Sequence, residues 1–178
     1  VCTTETTTDM GVEAARRALE SSGVKPEELD MIIAASITAD TISPGLAGMV
    51  QNRIGASCPC FDMNVACPGF LFALDVAAGF FARKAVRKVL VVSAERMSGL
   101  IDWTDRSTCV IFGDGAGAAV LGEGDNYLAS ELHTAGGDDV ISIPTWWNNS
   151  PFYEHELKKN KVNMAGQETY KFAVTSMV

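Results

Sequence analysis

No run of basic residues longer than Arg83-Lys84 or Lys158-Lys159 interrupts a chain whose 14 Lys and Arg face 22 Asp and Glu, for a net charge of −8. Binding along a phosphate backbone needs a basic stripe, so nucleic acid is excluded as a partner. No apolar run reaches membrane length either. The longest, Phe70 to Ala82, is too short to cross a bilayer and holds Asp75. The opening Val1-Cys2-Thr3-Thr4-Glu5 has neither the basic nor the apolar region of a signal peptide. It has no initiator Met, which predicts a piece of a longer protein or a chain that begins after removed residues. A disulfide framework is missing as well: Cys2, Cys58, Cys60, Cys67 and Cys109 are odd in number and lie in apolar settings. They fit reduced thiols in the cytoplasm. Histidine is scarce, with only His133 and His155 present, and Cys58-Pro59-Cys60 is spaced too closely for a zinc knuckle. Neither His completes a ligand set, so no metal is predicted.

What is present is a globular composition: 178 residues, 47% apolar and 20% charged, enough for one domain or a large part of one. After a Thr-rich lead-in over Thr3 to Asp9, Val12, Ala15, Leu19 and Ser22 fall on one helical face, with Gly23 as a left-handed stop and Pro26 beyond it. Asp30 to Ser36 is a near-continuous apolar run, the pattern of a strand covered on both faces. Pro44 to Gly55 predicts a second helix with Leu46, Met49, Val50 and Ile54 as its stripe. Phe61 to Val65 is a short strand, and Lys88 to Ala94 another buried one. Strand and helix alternate, which predicts an α/β domain with a mainly parallel sheet.

Between those last two strands lies the stretch that carries chemistry, Asp62-Met63-Asn64-Val65-Ala66-Cys67-Pro68-Gly69-Phe70. Phe70 to Ala82 is apolar on nearly every face and so predicts a buried helix. Pro68 suits the first helical position, which puts Cys67 at the turn between strand and helix. A helix N-terminus, with its unpaired N–H groups and positive dipole end, is a kind of position that can favour a thiolate and can hold an oxyanion. A free cysteine is also a small hydrophobe, and no partner base is visible in the sequence to decide between the two readings.

Downstream, Asp102 to Thr108 is polar and irregular, and Cys109 to Phe112 is apolar. Gly113-Asp114-Gly115-Ala116-Gly117 then runs into a strand through Val120-Leu121. With no helix start after the glycines, a phosphate loop is disfavoured; the run predicts a close approach of backbones, with Asp114 bonded locally. Tyr127 to Thr134 is read as a paired strand. Gly136 to Asn163, with Trp146-Trp147, Asn148-Asn149 and Lys158-Lys159, is read as a long excursion. Met164 to Glu168 opens a last helix with Tyr170, Val174 and Met177 on one side. His133 and His155 are read as structural or solvent-facing.

Three ordered motifs carry a resemblance: Val65-Ala66-Cys67-Pro68-Gly69-Phe70, the block from Asp105 to Ala118, and Met164-Ala165-Gly166-Gln167-Glu168-Thr169-Tyr170-Lys171. Together they resemble the first half of a β-ketoacyl-acyl-carrier-protein synthase III, a thiolase-fold condensing enzyme of fatty-acid biosynthesis. The resemblance implies a thiolase-like half over residues 1–163, lacking its first strand, and a helix over 164–178 leading toward an absent second half. It implies an acyltransferase in which Cys67 takes an acyl group from acyl-CoA, and the decarboxylated malonyl unit of malonyl-acyl-carrier protein then attacks the thioester. By the same matching, Arg106 lies at the mouth of the CoA tunnel and Phe112 faces the thiol. Met164, Gly166 and Gln167 line the pantetheine route, and Lys171 adds charge where the carrier protein docks, although an exposed Lys is usually just a solvated face. Ser43 stands where the family reaches into the partner subunit's acyl pocket. The implied enzyme is a cytoplasmic homodimer that binds no membrane and uses no cofactor beyond its acyl-CoA substrate.

Departures qualify this. Pro68 replaces the family's small residue after the nucleophile and removes one N–H. The catalytic His and Asn of the family fall beyond these residues, and the half alone is expected to expose apolar helix surface. Three alternatives stay open: another thiolase-fold enzyme, such as a hydroxymethylglutaryl-CoA synthase or a secondary-metabolite starter enzyme; a non-catalytic half that dimerises or binds acyl chains; and a cysteine hydrolase, which lacks a base.

Overall fold

A computed structural model describes residues 1–144, 152 and 160–176. The chain divides into two compact units, 1–96 with 113–132 and 97–112 with 133–178.

The first unit begins with helix α1, Thr7–Ser22. Its start is fixed by a capping box in which the Thr6 hydroxyl accepts from the Asp9 N–H and the Asp9 carboxylate accepts from the Thr6 N–H. Its end is the left-handed Gly23, φ 68°. Strand β1, Met31–Ala35, is buried at every position. Helix α2, Leu46–Ile54, ends on the left-handed Gly55. Strand β2, Cys60–Met63, leads through a turn to helix α3, Gly69–Ala82, and strand β3, Lys88–Arg96, follows. Strand β4, Asp114–Gly122, closes a four-stranded sheet of order β2-β1-β3-β4. β1 pairs parallel with β2 and β3, and β4 runs antiparallel to β3.

Alternation along β1 divides the core into two layers. Ile32 and Ala34, with Leu90, Val92 and Ala94 of β3, pack against Val12, Ala15 and Leu19 of α1 and Leu46, Ala47 and Val50 of α2. Met31 and Ile33, with Val89 and Val91, pack against Ala73 and Ala77 of α3. Two buried layers around a mainly parallel sheet are the α/β arrangement that the alternating pattern predicts.

Several expectations are corrected. α3 is buried only at Gly69, Ala73 and Ala77, and Leu71 is 62% exposed. An apolar helix has more greasy faces than one sheet can cover, so this chain does expose apolar helix surface. Pro68 sits at the N-cap, one position before the first helical residue. Ser22 is exposed where the stripe on α1 ends. Tyr127 to Thr134 forms no strand; Tyr127 and Ser130 instead donate hydroxyl hydrogen bonds to Asp75 on α3, that from Tyr127 at 2.8 Å. In the glycine run, a Cβ added at Gly113, Gly115 or Gly117 would meet nothing within 4 Å among the described residues, so no close approach occurs there. The Asp114 carboxylate accepts from the distant Cys2 N–H at 2.7 Å.

In the second unit, the long excursion is pinned at its ends by the two-residue strands β5, Ile141–Ser142, and β6, Asn163–Met164, which pair antiparallel. Met164 therefore lies in a strand, and the last helix, α4, starts two residues later at Gly166 and runs to Ser176. No residue of α4 is buried, and Tyr170 and Val174 are exposed. Trp146, Trp147, Asn148, Asn149, His155, Lys158, Lys159 and Met177 lie outside the described residues. Among the described residues no helix is long and apolar enough to cross a membrane, and no cluster of three or more His, Cys, Asp or Glu is placed to hold a metal ion.

Candidate active site

In an open α/β sheet the ends of parallel strands converge on a crevice at their carboxyl edge, where ligands bind. Here that edge is the point at which Ala35, Met63 and Ser93 lie side by side. Ser36 N–H donates to Met63 O and the Ser93 hydroxyl to Ala35 O, which ties the three strand ends together.

Cys67 emerges from this edge in the turn between β2 and α3, and it is exposed. The turn is tight because Ala66 takes a left-handed conformation, φ 51°, and its carbonyl accepts from the Gly69 N–H at 3.1 Å. A non-glycine residue in that region costs on the order of 1 kcal/mol, and such strain collects at functional turns. Gly69 is demanded by packing: a Cβ there would lie 2.9 Å from the Ala35 Cβ. The first turn of α3 is thus pressed onto the end of β1. No side chain caps that helix start, so beyond the Gly69 N–H, which the Ala66 carbonyl takes, the positive end of the helix dipole faces the Cys67 turn.

Three carboxylates brace the same edge. Asp40 accepts from the N–H groups of Thr7 and Thr8 at 3.1 and 2.8 Å. Burial works against its charge, but the Thr8 hydroxyl and N–H foremost, then the Thr6 hydroxyl and the Thr7 N–H, outweigh it and hold its carboxyl below the usual range. Asp62 accepts from the Ala47 N–H at 3.1 Å at the start of α2, where a Cβ on Gly45 would collide with its Oδ2 at 2.1 Å. Burial pushes Asp62 up, and the Ala47 and Leu46 N–H groups only partly oppose it. Glu95, half-buried at the end of β3, accepts from the Ile37 N–H at 2.8 Å and from the Thr38 hydroxyl. Burial also raises its pKa, against those bonds. Sequence reading passed over Glu95 and Asp40. The available signal was an acid directly after the apolar run of β3, and another soon after β1.

Ser43, exposed beside a cis peptide to Pro44, lies in the connection between β1 and α2. Cys58 is buried and Cys60 half-buried, and burial raises both thiols, which disfavours their thiolates. A wide cleft of about 770 Å³ lies at the other end of the strands, lined by Leu29, Asp30, Arg87, Lys88 and Gly122 among others. Asp30 there is occupied by the Arg87 and Lys88 N–H groups, the Ser22 hydroxyl that also lines it donates to the Leu19 carbonyl, and no cysteine lines it. Chemistry points to the Cys67 edge instead.

The remaining predicted residues belong to the second unit. Arg106 is exposed in a turn organised by Asp105, which accepts from the Ser107 N–H and hydroxyl at 2.9 and 2.7 Å and from the Thr108 hydroxyl at 2.8 Å. These bonds, the Ser107 hydroxyl foremost, hold the Asp105 carboxyl below its ordinary value. Phe112 is half-buried at the end of that turn and Met164 half-buried in β6. Gly166, Gln167 and Lys171 are exposed on α4, and His133 is exposed as well.

An exposed cysteine at the carboxyl edge of a mainly parallel sheet packed between helices fits one class: an α/β protein of thiolase-like fold. The crystal structure of 3-oxoacyl-[acyl-carrier-protein] synthase III from Aquifex aeolicus VF5 superposes with a TM-score of 0.87 at 37% identity, covering 99% of this chain and 55% of that one. The priming β-ketosynthase of the R1128 polyketide biosynthetic pathway superposes at 0.82 with 33% identity, over 97% and 53%. Residues 61–136 match the family described as 3-oxoacyl-[acyl-carrier-protein (ACP)] synthase III. β-Ketoacyl-[acyl-carrier-protein] synthase III of Clostridium acetobutylicum is 44% identical over 98% of this chain and 55% of its own length. The chain is similar over nearly all of its own length to β-ketoacyl-acyl-carrier-protein synthase III proteins, and it spans about half the length of the curated relatives it matches.

Proposed function

We propose that these residues form the nucleophile-bearing part of an acyltransferase that carries out a decarboxylative condensation. The observation that carries this is the exposed Cys67 on a strained turn at the uncapped start of α3. In the first step the Cys67 sulfur attacks the carbonyl of acyl-CoA, the carbon–sulfur bond to CoA breaks, and CoA leaves as its thiol. In the second, malonyl-acyl-carrier protein loses CO2. The carbanion so formed attacks the Cys67 thioester, and the sulfur leaves to give a 3-oxoacyl product. Both additions place negative charge on an oxygen beside the helix start, which the dipole of α3 favours. Sulfur serves as nucleophile and leaving group in turn.

In this reading Arg106, Phe112, Met164, Gly166 and Gln167 belong to the path of CoA and pantetheine. Lys171 meets the acidic carrier protein, and Ser43 faces the acyl pocket across a homodimer. The protein acts in the cytoplasm with no cofactor besides its acyl-CoA substrate, and the catalytic His and Asn are supplied from outside these residues. The likeness to a priming β-ketosynthase of polyketide synthesis favours one second reading, in which the same chemistry serves a polyketide starter unit. The two differ in the carrier protein accepted.

The test is intact mass after incubation of the longest natural chain containing these residues with acetyl-CoA. One acetyl adduct is expected, mapping to Cys67 and lost in Cys67→Ser. An adduct on Cys58, Cys60 or Cys109 instead, or none at all, overturns the proposal.

A further inference from the structure

The connection from β1 to α2, residues 36–45, is held at both ends by carboxylates. At its far end Asp62 grips the start of α2. At its near end stands Glu95, which none of the chemistry above uses. Oε1 of Glu95 accepts from the Ile37 N–H at 2.8 Å and Oε2 from the Thr38 hydroxyl. The Ser36 hydroxyl bonds the same carboxylate. Thr38 is gripped from two more sides: its Oγ1 accepts from the Arg96 N–H at 2.8 Å, and its carbonyl accepts from the Thr7 hydroxyl at 2.6 Å. A strand could end at Ala35 without any of this. A half-buried acid that converges on three successive residues just past a strand end is costly to place and serves to fix the chain that leaves the strand. Between these two ends Asp40 ties the chain once more, to the start of α1, and beyond it Ile42 is 68% exposed with Ser43 exposed next to it.

We infer that Glu95 is a positioning residue that sets the path of residues 37–45 and thereby where Ser43 stands. The inference rests on the reading of Ser43 as a wall of the acyl pocket. On that reading Glu95 never touches the acyl group, yet it governs which acyl groups fit. Loosening the near anchor leaves Asp40 on α1 and Asp62 at the start of α2 as the remaining ties, and the chain between Ala35 and Ser43 shifts about them. The consequence falls on discrimination between primers of different width more than on the attack by Cys67.

The experiment compares rates of Cys67 acylation by acetyl-CoA and isobutyryl-CoA in the longest natural chain, followed by intact mass. It is run for the wild type, Glu95→Ala, Glu95→Gln and Asp30→Ala. Asp30 is the control because it also ties backbone N–H groups, those of Arg87 and Lys88, but at the opposite end of the strands. Glu95→Ala is expected to change the ratio of the two rates about fivefold, the loss of roughly one buried hydrogen bond. Glu95→Gln keeps the shape and an acceptor for Ile37, and is expected to restore most of the wild-type ratio; it carries the comparison if the Ala variant does not fold. Asp30→Ala should lower the melting temperature and leave the ratio alone. A ratio within about twofold of wild type in a folded, acylated Glu95→Ala overturns the inference, as does an equal change in Asp30→Ala. If the wild type takes no acyl group, the proposed function has failed, and amide hydrogen exchange over residues 37–45 decides the positioning role by itself. Faster exchange by about tenfold in Glu95→Ala upholds it, and unchanged exchange removes it.

Discussion

Helices α1 and α3 are close in length, sixteen and fourteen residues, and flank opposite faces of one sheet, yet they are made differently. α1 is amphipathic, with a capping box at its start and a left-handed glycine at its end. It buries Val12, Ala15 and Leu19 and turns its charges outward. α3 is apolar on every side but that of Asp75, has no side-chain cap and follows directly on an exposed cysteine in the turn before it. At the start of α3 the Gly69 N–H is taken by the Ala66 carbonyl, but no side chain serves the N–H groups that follow it, as Thr6 does at the start of α1. The difference teaches which helix holds the fold and which presents a site, because a helix start without a cap is tolerated where a ligand's charge takes the cap's place.

The contrast can be broken by substitution. The largest effect is expected from Leu19→Ala, which should cost about 3 kcal/mol in chemical denaturation, because Leu19 is only 6% exposed. Gly69→Ala comes next. It sets a methyl 2.9 Å from Ala35 and should destabilise by about 2 kcal/mol while slowing acylation of Cys67, since the helix start must back away from β1. A Gly69→Ala variant with full acylation rate would show that the turn tolerates the shift. Thr6→Ala removes the cap of α1 and should cost about 1 kcal/mol, read by thermal unfolding.

The capping box also gives a pH signature. The Thr6 N–H first, then Arg53, lower the Asp9 carboxyl from 3.8 to about 2. A carboxyl lowered in the folded state stabilises above its unfolded pKa, and that contribution fades as pH falls through the folded one. The gap in urea midpoint between wild type and Asp9→Asn should therefore close as pH is taken from about 5 toward about 2. A gap that persists would assign the effect to packing. The smallest effect should come from Leu71→Ala, within about 0.5 kcal/mol, because that side chain is 62% exposed. A loss as large as that of Leu19→Ala would mean that the outer face of α3 is covered in the intact protein.

Much of the scaffold was legible in advance because it rests on local rules. The stripe of α1, its glycine stop, the two-sided burial of β1 and the placement of Cys67 at a strand-to-helix turn follow from periodicity and capping. What misled was composition without geometry. Tyr127 to Thr134 has strand-like residues, but its hydroxyls went to Asp75 and its backbone found no neighbour in the sheet. Pro68 was placed one residue too deep because cap and first helical position differ only by backbone angles. The carboxylates Asp40 and Glu95 were not recognised, since an acid near a strand end has no periodicity to mark it.

By itself, the sequence determined the alternation of strand and helix, the two-sided burial of the sheet and the placement of Cys67 at a strand-to-helix turn, since each depends on residues within one turn or one strand of one another. Only the tertiary structure decided that α3 is half open, that Gly69 must touch Ala35, and that Glu95 holds Ile37 and Thr38 across fifty-seven or more positions of chain. Those contacts join segments far apart in sequence, and their existence depends on the sheet order that brings β3 beside β1. Residue patterning states which surfaces must be buried, while which distant group meets which is fixed only when the layers close.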